Sequence, residues 1–307
     1  MTTCVLSGGV GAARILAALS QVLDTSEFFG LVNTGDDLDL HGLRICPDLD
    51  TITYTLAGLN NQETGWGLTG ETWRVMKELE ILGGEAWFSL GDRDLATHLY
   101  RTQRLAQGAD LTTITAELTS KLGSPVTLLP ATNHLMPTRF TTSMGASISF
   151  QEYFVKFHHD VVISHIDLSA AQEATLTDQA RSALAAASRV VIAPSNPLVS
   201  IGPLLAIPGV SELLQAKRDQ VVCVSPIVGG NALKGPADRL MRELGFEASA
   251  FGVATLYQDL ASSIVIDHAD ADLAGAIEAL GMTCIVTDTI MDGGPISRAL
   301  AEAVLNA

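Results

Sequence analysis

The fold of this chain is decided by the stretch Thr3-Cys4-Val5-Leu6-Ser7-Gly8-Gly9-Val10-Gly11-Ala12-Ala13-Arg14. Residues 3–6 predict a short buried strand, and residues 12–23 carry apolar side chains at helical spacing. A second apolar run, residues 28–32, follows and ends in an acidic loop. A strand, a glycine-rich turn, a helix and a strand in this order begin a parallel α/β sheet.

Helical patterns and short apolar runs alternate along most of the remaining chain, which predicts a single α/β domain over residues 1–307. Residues 125–168 instead contain short β-like runs separated by turn residues. We predict a β-rich insertion there, with residues 169–307 continuing the sheet. Residues 86–90 predict another strand, and Asp94 is the expected N-cap of the next helix. The predicted fold is a three-layer α/β/α, Rossmann-like, mostly parallel sheet with a smaller β-containing insertion.

The composition narrows the classes of function. Hydrophobic residues make up 47% of the chain and charged residues 17%, which fits a compact, mostly buried enzyme. The net charge of −16 argues against a nucleic-acid partner, because a polyphosphate backbone requires clustered Lys and Arg. The cysteines form no Cys-x-x-Cys pair, so we expect no zinc or redox site and a reducing, cytoplasmic location. We also expect no membrane span and no signal peptide.

Five aspartates occupy a fifteen-residue window of this apolar chain: Asp36, Asp37, Asp39, Asp48 and Asp50. An acidic cluster behind a buried strand is costly unless it is solvated or binds a cation. Hard cations such as Mg²⁺ take carboxylate oxygens, so we predict Asp36, Asp37, Asp48 and Asp50 as candidate metal ligands. Asp39 stands between two leucines and is left out. Helix capping by Asp48 or Asp50, together with surface solvation, is the alternative interpretation.

The glycine-rich turn gives a second chemical signal. Gly8, Gly9 and Gly11 let the backbone approach a phosphate, and the following helix offers free N–H groups and the positive end of its dipole. The spacing matches neither Gly-x-Gly-x-x-Gly nor a Walker loop, so a tight strand-to-helix turn is the alternative. Arg14 either pairs with a phosphate or lies on the helix surface. The acidic window and this turn together favour metal-assisted phosphoryl chemistry on a nucleotide-like substrate.

Three further loops follow apolar runs and are expected at the same edge of the sheet. Pro194-Ser195-Asn196-Pro197 and Ser225-Pro226-Ile227-Val228-Gly229 place rigid prolines beside small polar groups that can bind phosphate or a base. Gly91-Asp92-Arg93-Asp94 is a charged turn, for which Asp–Arg pairing and helix capping are the alternative. The carboxyl ends of parallel strands share one edge, where α/β sheets bind ligands.

These residues resemble the motifs of the 2-phospho-lactate transferases of coenzyme F420 biosynthesis. The similar stretches run in family order from the first strand to about residue 260, and several are long and specific, so the resemblance is nearly full-length. They are Ser7-Gly8-Gly9-Val10-Gly11, Asn33-Thr34-Gly35-Asp36-Asp37, Pro47-Asp48-Leu49-Asp50-Thr51, Leu90-Gly91-Asp92-Arg93-Asp94-Leu95-Ala96-Thr97-His98, Phe150-Gln151-Glu152, Pro194-Ser195-Asn196-Pro197, Ser225-Pro226-Ile227 and Gly235-Pro236-Ala237.

The resemblance implies a transfer reaction in a homodimeric enzyme. A three-carbon acid linked to guanosine diphosphate gives its phospho-acid group to the ribityl hydroxyl of the deazaflavin Fo, GMP leaves, and Mg²⁺ neutralises the diphosphate. Asp36 and Asp50 then take metal-binding or hydroxyl-activating roles, with Asp37 and Asp48 as second choices. The residues assigned to Fo are Asp50, Thr51 and Arg93. The residues assigned to the guanosine donor are Gly8, Gly9, Gly11, Ser195, Asn196, Ser225 and Gly229.

Two other functions compete with this interpretation. A non-catalytic regulator of the gluconeogenesis-factor kind, which resembles the same superfamily, would fit the glycine turn and the Pro-Ser-Asn-Pro loop. The charged turn at residues 91–94 and the stretch at residues 47–51 favour the transferase instead. A nicotinamide dehydrogenase fits poorly, because Asn33 and not an acidic residue ends the second strand. No residue chooses between lactate, enolpyruvate and glycerate as the acid of the donor.

Overall fold

The computed structural model describes residues 2–307. Its strands are β1 (Thr3–Ser7), β2 (Phe28–Val32), β3 (Leu38–Leu40), β4 (Leu43–Ile45), β5 (Thr127–Pro130), β6 (Arg139–Thr142), β7 (Ser147–Ser149), β8 (Ile163–Asp167), β9 (Arg189–Ile192), β10 (Val221–Val224), β11 (Ile227–Val228), β12 (Asn231–Ala232), β13 (Ser263–Ile266) and β14 (Thr283–Val286). Its α-helices are α1 (Gly9–Leu19), α2 (Pro47–Leu56), α3 (Arg74–Ile81), α4 (Asp94–Ala106), α5 (Leu111–Leu122), α6 (Ser169–Glu173), α7 (Asp178–Ala186), α8 (Gly202–Ala206), α9 (Val210–Ala216), α10 (Ala237–Glu243), α11 (Ala250–Tyr257), α12 (Ala274–Glu278) and α13 (Pro295–Asn306). Two π-helical turns (Glu152–Lys156 and Pro197–Ile201) and two 3₁₀ turns (Arg218–Gln220 and His268–Leu273) complete the elements.

Seven strands form one sheet in the order β14-β13-β10-β9-β1-β2-β5. Every neighbouring pair in this sheet is parallel. From β1 the chain proceeds to β2 and β5 on one side, and it later adds β9, β10, β13 and β14 on the other side. The strand order therefore reverses beside β1. In open α/β sheets, the crevice outside the carboxyl ends at such a reversal is where ligands bind.

Strand β1 shows how the sheet separates two apolar layers. Val5 packs on one face with buried side chains of α1, α2 and α13. Cys4 and Leu6 pack on the other face with side chains of α7, α9 and α11. Successive side chains of a strand point to opposite faces, so a strand that is covered on both faces is apolar throughout. Helices on both faces of a parallel sheet confirm the predicted three-layer α/β/α fold.

Residues 125–168 contribute to two sheets. Strand β5 extends the main sheet beside β2. Strands β6, β7 and β8 form a separate antiparallel sheet in the order β7-β6-β8, with its own apolar cluster around Phe140, Tyr153 and Ile163. The predicted strands of this segment are present, and the first of them belongs to the main sheet. The extent of an inserted unit stays a prediction.

Two local predictions are wrong. Residues 86–90 form no strand. Phe88 and Leu90 pack instead into a small apolar cluster with Met76, and the sheet edge beside β2 is occupied by β5. Asp94 is the first residue of α4 and not its N-cap. The Glu71 carboxylate accepts the N–H groups of Arg93 and Asp94 at 2.8 Å, and the Asp94 carboxylate accepts a hydrogen bond from Tyr54 of α2.

Among residues 2–307, no single helix has both the length and the apolar character needed to cross a membrane. The segments Pro197–Ala206 and Val210–Ala216 meet those criteria only when they are joined, and they are bent by 91° at the break between them. Leu204 and Leu214 from these segments are buried in the core layer that also contains α7 and α11.

Candidate active site

Four loops meet at the carboxyl edge of the sheet, around the reversal in strand order. They follow β10, β9, β1 and β2, which are neighbours in the sheet. Ser195, after β9, donates its hydroxyl to the carbonyl oxygen of Gly8, after β1, at 2.6 Å. Asp48 of α2 reaches the same turn, because the Gly9 N–H donates to Asp48 Oδ1 at 2.7 Å. The glycine turn, the acidic window and the Pro-Ser-Asn-Pro loop therefore lie in one site.

Asp36 and Asp48 form a pair of buried carboxylates without a basic partner. Asn33 Nδ2 donates to Asp36 Oδ1 at 3.2 Å and to Asp48 Oδ2 at 2.9 Å. The Asn33 amide is fixed in this orientation, because its oxygen accepts the Gly35 N–H at 2.8 Å. In the described part of the chain, no salt bridge joins Asp36, Asp37 or Asp48 to a basic side chain. Buried carboxylates without a basic partner take up a proton or bind a cation.

Burial sets the electrostatics of this pair. Burial raises the pKa of Asp36 well above its ordinary value, and the charges of Asp48 and Asp37 raise it further. Burial also raises the pKa of Asp48 to about 6, although the hydrogen bonds from Asn33 and Gly9 act in the opposite direction. Because the ionised forms are disfavoured for lack of a positive charge, a divalent cation would stabilise both carboxylates.

Asp37 adds a third buried carboxylate to the site. Its Oδ2 accepts a hydrogen bond from the Cys46 thiol at 3.0 Å, and burial raises its pKa to about 8. Its Oδ1 is buried and has no hydrogen-bond partner within residues 2–307. A buried oxygen without a partner is costly, although Asp36, Asp37 and Asp48 do not bring three ligand atoms within 4.8 Å of one another.

Asp50 belongs to the same helix as Asp48 but faces a guanidinium group. Arg101 of α4 is only 1% exposed, and its Nη2 donates to Asp50 Oδ1. Burial raises the pKa of Asp50, while the charge of Arg101 acts against that shift. For Arg101, burial acts to lower the pKa, but the charge of Asp50 holds it above its ordinary value. Asp50 is therefore compensated within the protein.

Polar contacts continue along the seam between α2 and α4. Arg101 Nη1 lies 3.2 Å from His98 Nδ1, and His98 Nε2 lies 3.2 Å from Asp94 Oδ2. Tyr54 Oη donates to Asp94 Oδ1 at 2.5 Å. Asp50 and Tyr54 are four residues apart on one face of α2, and the α4 residues recur at the same helical spacing. We call Asp50, Tyr54, Asp94, His98 and Arg101 the α2–α4 seam.

One three-residue group has its ligand atoms close enough to hold a metal ion, and the pair Asp36–Asp48 adds two more carboxylates to the site. Asp50, Asp94 and His98 have ligand atoms within 4.8 Å of one another. Arg101 already supplies a positive charge to this group. Asp36 and Asp48 offer only oxygen ligands and have no such charge, which fits Mg²⁺. The structure thus brings two predicted ligands together and directs Asp50 toward α4.

Gly9 and Gly11 meet different structural needs. Gly9 has a φ of +66°, a left-handed value that favours glycine. A Cβ on Gly11 would lie 2.0 Å from the Pro194 carbonyl oxygen, so α1 can approach the loop after β9 only with glycine at this position. The phosphate contacts expected for Gly8, Gly9 and Gly11 stay a prediction, and Asp48 already accepts the Gly9 N–H.

The other groups assigned to the guanosine donor also have partners within the protein. Ser195 is bonded to the glycine turn, as described above. Asn196 Oδ1 accepts two N–H groups at the start of the π-helical turn that follows it. Ser225 Oγ donates at 2.8 Å to a carbonyl two residues later, and the Gly229 N–H donates to Asp270 at 3.0 Å. The contacts of these residues with the guanosine donor stay predictions. Such contacts would replace hydrogen bonds that the residues now make within the protein.

The residues assigned to Fo contact different parts of the protein. Arg93 is exposed, and its guanidinium donates to the carbonyl of Thr69 in the loop before α3. Within the described residues, no hydrogen bond joins the Arg93 side chain to the acidic window. Thr51 is half-buried in α2, and Arg14 is half-buried in α1. The structure pairs Asp50 with Arg101, and the contacts of Asp50, Thr51 and Arg93 with Fo stay predictions.

The acidic residues are closed off in this conformation. Asp36 and Asp50 are 6% exposed, Asp48 is 4% exposed and Asp37 is 2% exposed. Two cavities lie elsewhere: one of about 200 Å³ at the amino end of β1 and β2, and one of about 330 Å³ along α3. Neither borders the acidic window. Because the carboxylates are buried, we expect neighbouring residues to move when substrates bind.

Sequence reasoning missed four residues that organise the site: Asn33, Tyr54, His98 and Arg101. One signal could have found the last two. Asp94, His98 and Arg101 recur at intervals of four and three residues, which places them on one face of α4. A helix face that carries an aspartate, a histidine and an arginine predicts contact with a neighbouring acidic window.

Comparison with known proteins identifies the family. Residues 3–290 match the sequence profile of the 2-phospho-L-lactate transferase CofD. The chain is 39% identical over 310 residues to a phosphoenolpyruvate transferase of Streptomyces griseus, with 99% of this chain and 98% of the relative covered. It is 37% identical over 301 residues to a 2-phospho-L-lactate transferase of Methanosarcina acetivorans, with 98% and 97% covered. A crystal structure of a UPF0052-family protein from Bacillus halodurans has a TM-score of 0.62 at 15% identity, covers 99% of this chain and 98% of its own, and shows the shared fold alone. This chain therefore belongs to the CofD family of 2-phospho-L-lactate transferases.

Proposed function

We propose that this protein moves a phospho-three-carbon-acid group from a guanosine-diphosphate-linked donor to the deazaflavin Fo, releases GMP, and so acts in coenzyme F420 biosynthesis. Family membership supports a transferase of this kind, and the relatives are named for phospholactate or phosphoenolpyruvate. The observation that carries the proposal is the uncompensated pair Asp36–Asp48 beside the first N–H of α1. Helix N-termini favour phosphate groups, and an acidic pair there favours the cation that accompanies a diphosphate.

Asp36 and Asp48 are the residues that would hold Mg²⁺. When bound, the ion would neutralise charge on the diphosphate during transfer. Asn33 keeps the two carboxylates close together through one amide group. The Gly9 N–H fixes Asp48 against the glycine turn, so the cation ligands and the expected diphosphate position are held in register.

The transfer itself requires an attacking oxygen and an acceptor for its proton. The ribityl oxygen of Fo would attack the phosphorus that carries the three-carbon acid, and the bond from that phosphorus to the GMP oxygen would break. GMP leaves with that electron pair, and the hydroxyl proton passes to Asp50. Asp50 Oδ2 supports this role, because it is buried and has no hydrogen-bond partner within residues 2–307. The acceptor reaches this oxygen only after neighbouring residues move.

The acid of the donor is a separate question. Relatives named for phosphoenolpyruvate and for 2-phospho-L-lactate are 39% and 37% identical to this chain, so sequence identity does not choose between them. We therefore propose the three-carbon acid as a class.

A transfer assay tests the proposal. Purified protein, Mg²⁺ and Fo are mixed with guanosine-linked lactate, enolpyruvate or glycerate donors, and products are followed by fluorescence-detected chromatography and mass. We expect Fo enlarged by one phospho-acid unit, release of GMP, and loss of both products with EDTA. No product with any donor, together with tight binding of another nucleotide, would favour a non-catalytic regulator.

A further inference from the structure

We propose that Arg101 and His98 are positioning residues that act on the transfer reaction through Asp50. Neither was assigned a role from the sequence, and both come from α4, whereas Asp50 comes from α2. The inference rests on the proposed function, because that function gives Asp50 the proton of the acceptor hydroxyl. It deepens that function by naming what orients the Asp50 carboxylate.

Arg101 fixes one oxygen of Asp50 and leaves the other free. A buried guanidinium is costly unless charge and hydrogen bonds compensate it, and here Asp50 Oδ1 provides the charge. Arg101 Nη1 donates to the carbonyl oxygen of Arg44 at 3.2 Å, which anchors the planar group at a second point. The carboxylate is thus held through Oδ1, and Oδ2 is left as the oxygen available to a substrate.

His98 orients the Arg101 guanidinium from the other side. Arginine can only donate hydrogen bonds, so His98 Nδ1 accepts where it faces Arg101, and the ring proton is on Nε2. Nε2 lies 3.2 Å from Asp94 Oδ2, and Asp94 is held by Tyr54. The ring also lies beside Asp50, with Nδ1 3.7 Å from Oδ2.

Packing alone does not account for this seam. Apolar side chains of similar size would join two helices at lower cost than buried charges. The seam also leaves Asp50 Oδ2 and His98 Nε2 buried without a hydrogen bond of good geometry in the described residues. Polar atoms left in this state need a reason, and a carboxylate oxygen reserved for an acceptor hydroxyl supplies one.

A double-mutant cycle tests whether Arg101 acts through Asp50. Arg101→Met, Asp50→Asn and the double variant are compared for transfer to Fo. We expect Arg101→Met to lower kcat by about 100-fold, as misplacement of a reacting group does, with the KM of the donor unchanged. We expect the double variant to be no slower than Asp50→Asn, because residues that act as a unit are not additive. Losses that multiply in the double variant would overturn the inference.

Two further variants serve as controls for this cycle. Arg104→Met is the matched control, because Arg104 is on the same helix and pairs with Glu117 at 2.8 Å near the surface. We expect it to keep wild-type rates. Arg101→Lys keeps the charge without the planar fork and should recover only part of the rate, and it also serves if Arg101→Met does not fold.

A spectroscopic measurement tests the geometry without any substrate. Nitrogen-15 NMR of the histidine side chains reports the tautomer, and His98→Gln assigns the His98 signal. We expect Nε2–H in the wild type and a changed signal in Arg101→Met. Nδ1–H in the wild type would overturn the inference whatever the protein transfers. An inactive wild type would overturn the proposed function, whereas an active wild type with multiplying losses would overturn only the role of Arg101.

Discussion

Two neighbouring groups of carboxylates in one short window are stabilised in opposite ways. Asp36 and Asp48 share one amide donor and have no basic partner in a salt bridge, whereas Asp50 is paired with the buried Arg101. Asp48 and Asp50 are two residues apart in α2, and side chains at that spacing point to different sides of a helix. The difference teaches that a dense acidic window can divide between carboxylates without a basic partner and an ion pair.

The largest expected effect is the loss of transfer activity when the charge of Asp36, which has no basic partner, is removed. Asp36→Asn keeps the shape of the side chain but removes an anionic cation ligand, so we expect transfer to fall by about 1,000-fold. The apparent Mg²⁺ requirement should rise in the same assay. Asp39→Asn is the matched control, because Asp39 is an exposed aspartate of the same window that pairs with Arg44. Full activity of Asp36→Asn at ordinary Mg²⁺ would remove the proposed cation site.

Breaking the ion pair between Asp50 and Arg101 should lower the stability of the fold. Arg101→Met leaves the Asp50 carboxylate buried without its partner, so we expect a loss of about 3 to 5 kcal/mol in the free energy of unfolding. The double variant Asp50→Asn, Arg101→Met removes both charges and should recover much of that loss. Urea denaturation measures all four proteins of this cycle. Equal stability of the single and double variants would contradict a buried ion pair.

A third experiment tests the close packing of the glycine turn against the loop after β9. Gly11→Ala places a Cβ against the Pro194 carbonyl oxygen, so we expect a loss of about 1 to 3 kcal/mol from overpacking. Gly275→Ala is the control, because a Cβ there meets no atom within 4 Å and lies in α12. Thermal unfolding compares the two. A neutral Gly11→Ala would show that α1 can shift away from the loop after β9.

The smallest expected effect is a dependence of stability on pH. Burial raises the pKa of Asp37 to about 8 in the folded protein. Between pH 4 and pH 8 the folded state therefore holds a proton that the unfolded state has lost, so wild-type stability falls as pH rises. Asp37→Asn has no such group, so its free energy of unfolding relative to the wild type should rise by about 1 kcal/mol from pH 6 to pH 7. Parallel stability curves for the two proteins would contradict the raised pKa.

Much of the fold could be predicted from the sequence, because buried parallel strands are continuous apolar runs. Residues 3–6 and 28–32 were recognisable for this reason, and they correspond to β1 and β2. The same criterion failed at residues 86–90, since an apolar run can also pack as irregular chain into a small cluster. Sheet pairing depends on which strand takes the edge, and that is not a property of the run itself.

The candidate site could be predicted only in outline. Loops that follow parallel strands must share one edge, so the meeting of the glycine turn, the acidic window and the loop at Ser195 followed from order alone. Which aspartate meets which partner depends on the phase of α2, which begins at Pro47. Arg101 is 51 residues from Asp50 in the chain, so only the packing of α4 on α2 could reveal their pairing.

We expect the two carboxylate groups to have different partners, a divalent cation for Asp36 and Asp48 and the Arg101 guanidinium for Asp50. Calorimetric titration of Mg²⁺ into protein saturated with GDP tests it most directly, with wild type, Asp36→Asn, Asp50→Asn and the Asp39→Asn control. We expect Asp36→Asn to lose Mg²⁺ binding, while Asp50→Asn and Asp39→Asn retain it. Loss of Mg²⁺ binding in Asp50→Asn, with Asp36→Asn unaffected, would contradict the division described here.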